Sequence, residues 1–116
     1  MSLPTKEPRS EQLAKFNYRL AIIKADDLGG EASMDCWWRL LDAMDRRGVP
    51  ISIGAVANRL QQNSDADLRR LTLLIDAGHH EVWNHSHTHP DFTQLNPEEQ
   101  EEQLLLSQPV IEAALS

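Results

Sequence analysis

The chain has 116 residues, 41% hydrophobic and 25% charged, with a formal net charge of -7. That length bounds it to one domain of ordinary globular composition, and the negative charge argues against affinity for nucleic acid or an anionic membrane. No apolar run reaches the length that spans a bilayer, and Cys36, the lone cysteine, excludes an internal disulfide or a zinc site built on cysteines.

Residues 1 to 17 are polar, with two prolines and mixed charge, and are expected to form a tail or a short helix from Ser10 to Phe16. Met1 to Arg9 contain no apolar signal-peptide core, so a cytoplasmic, reducing setting is expected, in keeping with the single cysteine. Tyr18 to Ala25 is predicted as a strand, its continuous Leu20-Ala21-Ile22-Ile23 run fitting a parallel strand covered on both faces. Asp26 to Gly30 is the loop that follows. A helix is predicted from Ser33 to Arg47, where Met34, Trp37, Trp38, Leu41 and Met44 share one face and Gly48 ends it. Trp37 and Trp38 fit core positions better than a sugar-stacking surface. Pro50 to Ala57 is a second strand. Ser64 with Asp67 marks the start of a helix over Asp65 to Ala77, and Glu81 to Asn84 is a short third strand. Asn96, Pro97 and Glu99 begin a last helix, which Pro109 should kink or break near Ser107.

The β-α-β-α-β-α order implies parallel strands with right-handed crossovers, an α/β fold. Asp26-Asp27 then follows the first strand and His85-Ser86-His87-Thr88-His89 the third, so both stand on the carboxyl rim of one sheet, where (β/α) enzymes keep their chemistry. Imidazole is the commonest transition-metal ligand, and two histidines with one carboxylate leave open positions for a hydrolytic metal centre. Taken singly, the histidines also fit a polar loop and the acidic pair a capping turn. Their shared rim is what favours a site. His79 and His80 belong to the turn before the third strand.

With these residues in place, the chain resembles the polysaccharide deacetylases of the NodB-homology group, carbohydrate esterase family 4. That family's Thr-Phe-Asp-Asp-Gly motif corresponds to Lys24-Ala25-Asp26-Asp27-Leu28-Gly29, and its His-Ser/Thr-x-x-His motif to His85-Ser86-His87-Thr88-His89. Gly78-His79-His80-Glu81-Val82, Asn84 and Pro90-Asp91-Phe92 match the flanks. The resemblance implies a (β/α)-barrel-type fold and a metal-dependent hydrolase that removes N- or O-acetyl groups from a carbohydrate polymer. It implies Asp26 as catalytic base and Asp27, His85 and His89 as metal ligands, with Ser86, Asn84 and His87 in supporting positions. The cation expected is zinc, with cobalt, nickel or iron(II) also acceptable to mixed imidazole and carboxylate ligands.

Several positions depart from the family. Lys24-Ala25 replaces Thr-Phe, Leu28-Gly29 replaces Gly-Pro, and Trp83 stands where a small residue is usual. The first motif is also similar to that of the YdjC-type deacetylases, and a phosphoesterase using His85-x-His87 is a further alternative. The resemblance covers about residues 18 to 115, the first half of the family domain. The later motifs, which supply an arginine, its orienting aspartate, an apolar pocket wall and a general-acid histidine, have no counterpart here. A complete barrel needs about 250 residues. The expectation is therefore a fold truncated to about three βα units, possessing an unpaired sheet edge that favours a homo-oligomer, and a catalytically incomplete metal-binding fragment is the alternative to an enzyme.

Overall fold

The computed structural model describes residues 19–116. The tail expected over 1 to 17 lies outside the described residues. In chain order the elements are β1 (Lys24–Leu28), α1 (Glu31–Arg46), β2 (Ser52–Ala55), a short α2 (Ala57–Leu60), α3 (Asp65–Asp76), β3 (Glu81–Asn84), a 3-10 turn (Phe92–Gln94) and α4 (Pro97–Ala114). The strands form one parallel sheet in the order β1-β2-β3. Every crossover moves the same way across the sheet, and right-handed connections of that kind put the helices on one face. This is the α/β layer of a (β/α)-barrel-type fold, whereas a doubly wound sheet reverses its strand order.

The helical face holds the core. Ile53 and Ala55 of β2 are buried there with Leu28, Leu41, Leu60 and Leu71. Met34, Trp37 and Leu41 recur at three- and four-residue spacing along α1 and are its buried residues; each such side chain contributes roughly 1.5–3 kcal/mol on burial. Trp38 is held at the edge of this core, its indole N–H donating to Asp67 Oδ1 at 3.1 Å and its ring under the Arg70 guanidinium at 4.1 Å. The helix starts follow local chemistry. Ser64 Oγ accepts from the Asp67 amide, and Asn96 and Glu99 form both arms of a capping box at 2.9 and 3.0 Å. No helix among the described residues is long and apolar enough to cross a membrane.

Two expectations are corrected. The first strand is Lys24–Leu28, so Arg19 to Ile23 of the strand expected over Tyr18 to Ala25 precede it, and Tyr18 lies outside the described residues. The Ile23 carbonyl still accepts from the Ser52 amide, but Leu20 and Ile22 are 71% and 83% exposed. An apolar run forms a buried strand only where something covers it, and among the described residues β2 is the one strand beside it. The second correction concerns the break expected at Pro109: α4 runs through it as one helix to Ala114. Ser107 and Ile111, buried on either side of it, anchor the helix, and that packing outweighs the roughly 3 kcal/mol that an interior proline costs.

Gly29 is required where the chain leaves β1. Its φ is +132°, and a Cβ there would lie 2.7 Å from Leu60 N and 2.8 Å from Arg59 Cβ. Gly29→Ala is therefore expected to destabilise the fold by on the order of 3 kcal/mol in urea unfolding followed by circular dichroism. Gly30 also has positive φ, but a Cβ there meets nothing within 4 Å, so Gly30→Ala should cost less than Gly29→Ala, backbone strain alone on the order of 1–3 kcal/mol. Equal losses in the two variants would refute the close-approach argument.

Candidate metal centre

The acidic pair sits in a β-bulge. Ala25 pairs with Ile53 and Leu28 with Ala55, so Asp26 and Asp27 together oppose the single residue Gly54. Asp27 has φ 72°, a left-handed conformation that aspartate tolerates better than most residues. Strand alternation alone would separate the two carboxylates; the bulge does so differently. Asp26 stays over Gly54 on the helix-free face, its Oδ1 3.2 Å from where a Cβ of residue 54 would stand. Asp27 turns toward the rim.

The histidine loop follows β3. The His85 amide donates to Ala55 O at 2.9 Å, and Ser86 O and His87 O accept from the Ala57 and Asn58 amides. Those carbonyls serve the first N–H groups of α2, which has no side-chain cap. Ser86 and His89 both have positive φ, 73° and 60°. Ser86 Oγ accepts from the His89 amide at 2.9 Å. Asn84 Oδ1 accepts from the Ser86 amide and from Ser107 Oγ, at 3.0 and 2.6 Å, while its Nδ2 donates to Leu104 O and Gln108 Oε1. Gln103 Oε1 accepts from the amides of His87 and Thr88, both at 3.0 Å. Sequence reasoning singled out Asn84 and Ser86 but missed Gln103 and Ser107. Their four-residue spacing on either side of Leu104-Leu105-Leu106 was the available signal for a polar helix face.

Three donors converge. Asp27 Oδ1 lies 3.2 Å from His85 Nε2 and 3.0 Å from His89 Nε2, and all three ligand atoms fall within 4.8 Å of one another. Zinc bound tetrahedrally at about 2.0–2.2 Å places neighbouring donors roughly 3.3–3.5 Å apart, so the two Asp27–histidine separations come within a few tenths of an ångström of what such a cation needs. The site is open: the Asp27 and His89 side chains are 48% and 42% exposed. Asp26 and His87 stand outside this group. His87, whose Nδ1 is buried, is not one of the three converging donors. At the opposite rim, buried His80 accepts from the Ile51 amide through Nδ1 and contacts Asp45 Oδ1 through Nε2 at 2.7 Å.

A cleft of about 290 Å³ adjoins His85 and His89, with Pro90, Phe92 and Leu104 in its walls. A larger cavity, about 650 Å³, opens at the opposite rim among Leu20, Ile22, Pro50 and Ile51; among the described residues it holds no converging donor set, and it lies away from the acidic bulge. Trp83 packs edge-on to His85 with ring centroids 5.0 Å apart, and the Lys24 ammonium sits 4.5 Å from the Trp83 ring centre. Below the loop, the Thr93 hydroxyl and amide hold the Asp91 carboxyl beneath its ordinary pKa. That turn therefore gains stability above the ordinary carboxylate range and loses it as pH falls through the lowered value.

A parallel α/β layer whose carboxyl rim joins a bulged aspartate to two histidines defines a candidate metal-site domain of (β/α)-barrel type. The chain belongs to the polysaccharide deacetylase family, whose model matches residues 19–116. Among solved structures it is similar to a family 4 carbohydrate esterase from Streptomyces lividans in complex with acetate, at 26% identity and TM-score 0.63, over 80% of this chain and 44% of that one. It is similar as well to a family 4 pseudoenzyme from Bacillus anthracis, at 25% identity and TM-score 0.63, over 80% of this chain and 30% of that one. A mutant of that pseudoenzyme with restored enzymatic activity gives 28% identity and TM-score 0.62, over 81% and 32%. The chain thus spans less than half the length of these structures. No curated protein matches it.

Proposed function

We propose that this chain carries the metal-binding and base-bearing part of a carbohydrate deacetylase, a hydrolase that releases acetate from N- or O-acetylated sugars. The observation that supports it best is the approach of Asp27 Oδ1 to both His85 Nε2 and His89 Nε2, with Asp26 nearby but outside the donor set. Asp27, His85 and His89 would hold a divalent cation, zinc first. When bound, such a cation supplies Lewis acidity to the acetyl carbonyl and to the attacking water.

Of the proton transfers, this chain's own residues supply the base; the proton taken up by the departing amine or alcohol, as its bond to the acetyl carbon breaks, would come from outside the residues named here. Asp26 takes the proton that the water loses as it attacks the carbonyl carbon; a carboxylate outside the donor set stays free to accept it. The bulge lets neighbouring aspartates take these unlike roles, because it turns one to the rim and leaves the other over Gly54. Gly54 matters for the same reason: any side chain there would enter the space of Asp26 and of Trp83, whose ring atoms lie 2.8 Å from that Cβ position. The acetylated sugar would approach over the cleft beside His85 and His89.

A second reading, a metal-binding domain without turnover, draws support from the similarity to the Bacillus anthracis pseudoenzyme. Acetate release from N-acetylated chito-oligosaccharides and from an O-acetylated xylan by the zinc-loaded protein separates the two. Release supports the hydrolase. Zinc binding without release supports the second reading.

Self-association belongs to the same proposal. Among the described residues β3 ends the sheet on one side, and on the neighbouring α4 Leu104, Leu105 and Leu106 are 45%, 66% and 49% exposed. A second copy related by a two-fold axis would cover that strip. Sedimentation equilibrium at micromolar concentration should give a dimer or larger species, and Leu105→Lys should shift it toward monomer. A fully folded wild-type monomer throughout that range would contradict association.

A further inference from the structure

We propose that Gln103 is a positioning residue that sets the affinity of the metal centre, by holding the histidine loop in its ligating shape from α4; this rests on the metal-binding reading above. The loop does not hold that shape by itself. Ser86 and His89 both lie in the left-handed region, at a cost on the order of 1–3 kcal/mol each for residues other than glycine. The surrounding structure must over-determine such a conformation. Two of its restraints act at the ends of the segment: the Asn84 side chain at the exit from β3, and the Ser86 hydroxyl on the His89 amide.

Between the two ligands, the amides of His87 and Thr88 point the same way, and Gln103 Oε1 accepts from both at 3.0 Å. The Thr88 hydroxyl lies 3.3 Å from that oxygen and 3.1 Å from Gln103 Nε2. One side chain thus serves the centre of the loop, from a helix that also reaches Asn84 through Ser107 and Gln108. A cation requires His85 and His89 together, so whatever orders the segment between them raises its affinity, and its loss leaves binding to supply the ordering. Outer-shell partners of metal ligands typically change affinity 10–100-fold.

The test is a zinc titration of the full chain, by competition with a chromophoric chelator, together with amide hydrogen exchange in the absence of metal. Gln103→Met keeps the length and removes the acceptor; it should weaken zinc binding about 10–100-fold and speed exchange at His87 and Thr88, with the amides of α1 unchanged. Gln103→Glu keeps the acceptor and should restore both readouts, which a merely bulky role would not require. Wild-type zinc affinity in Gln103→Met overturns the proposal. So does exchange of the His87 and Thr88 amides at unprotected peptide rates in the wild type, a measurement that needs no variant to fold. A wild type with slow loop amides but no zinc binding would instead overturn the metal reading on which the proposal stands.

Discussion

His89→Ala is expected to weaken zinc binding by at least about 100-fold, beyond the range usual for outer-shell changes, because it removes one of three donors. His85→Ala should do the same. Both imidazoles direct Nε2 at a single carboxylate oxygen, and neither has a substitute within the donor set. His87→Ala is the control. It lies between the two in sequence but outside the converging group, and should bind zinc nearly as the wild type does. Imidazole must be neutral to ligate, so affinity should fall on acidification as protons compete for both rings. Isothermal titration of the variants across pH checks each point. Wild-type affinity in His89→Ala would remove the assignment. A larger loss in His87→Ala would revive the His85-x-His87 alternative.

The second large effect is expected at Asp26. Asp26→Asn should keep its zinc and lose acetate release by about 10²–10⁴-fold, the range general-base catalysis supplies. The amide is nearly the same size as the carboxylate, so Trp83 and Gly54 should keep their packing, and only proton acceptance is lost. Zinc content by atomic absorption and acetate release in an enzyme-coupled assay are measured on one preparation. If metal and activity vanish together, the roles of Asp26 and Asp27 are reversed.

Features that rest on local chemistry were legible in the sequence. Ser64 and the Asn96–Glu99 box mark helix starts because the groups that satisfy one another are three residues apart. Glu81–Asn84 is bounded as expected, and the βα alternation placed the acidic pair and the histidines on one rim. What stayed hidden depends on distant partners. The β1 boundary follows from a bulge against Gly54 and from the lack of cover over Leu20 and Ile22. The short α2 has no capping signal of its own, since its first N–H groups bond to carbonyls almost thirty residues further along. Gln103 meets His87 across 16 residues, and Ser107 meets Asn84 across 23. No local pattern announces such pairs.

Zinc K-edge X-ray absorption on the full chain with one equivalent of metal tests the metal centre most directly. The predicted spectrum has a first shell of nitrogen and oxygen at about 2.0–2.2 Å, with outer-shell scattering from two imidazoles that drops to one in His89→Ala. Sulfur at about 2.3 Å, contributed by the exposed Cys36, or an unchanged imidazole count in the variant would contradict a centre built from Asp27, His85 and His89.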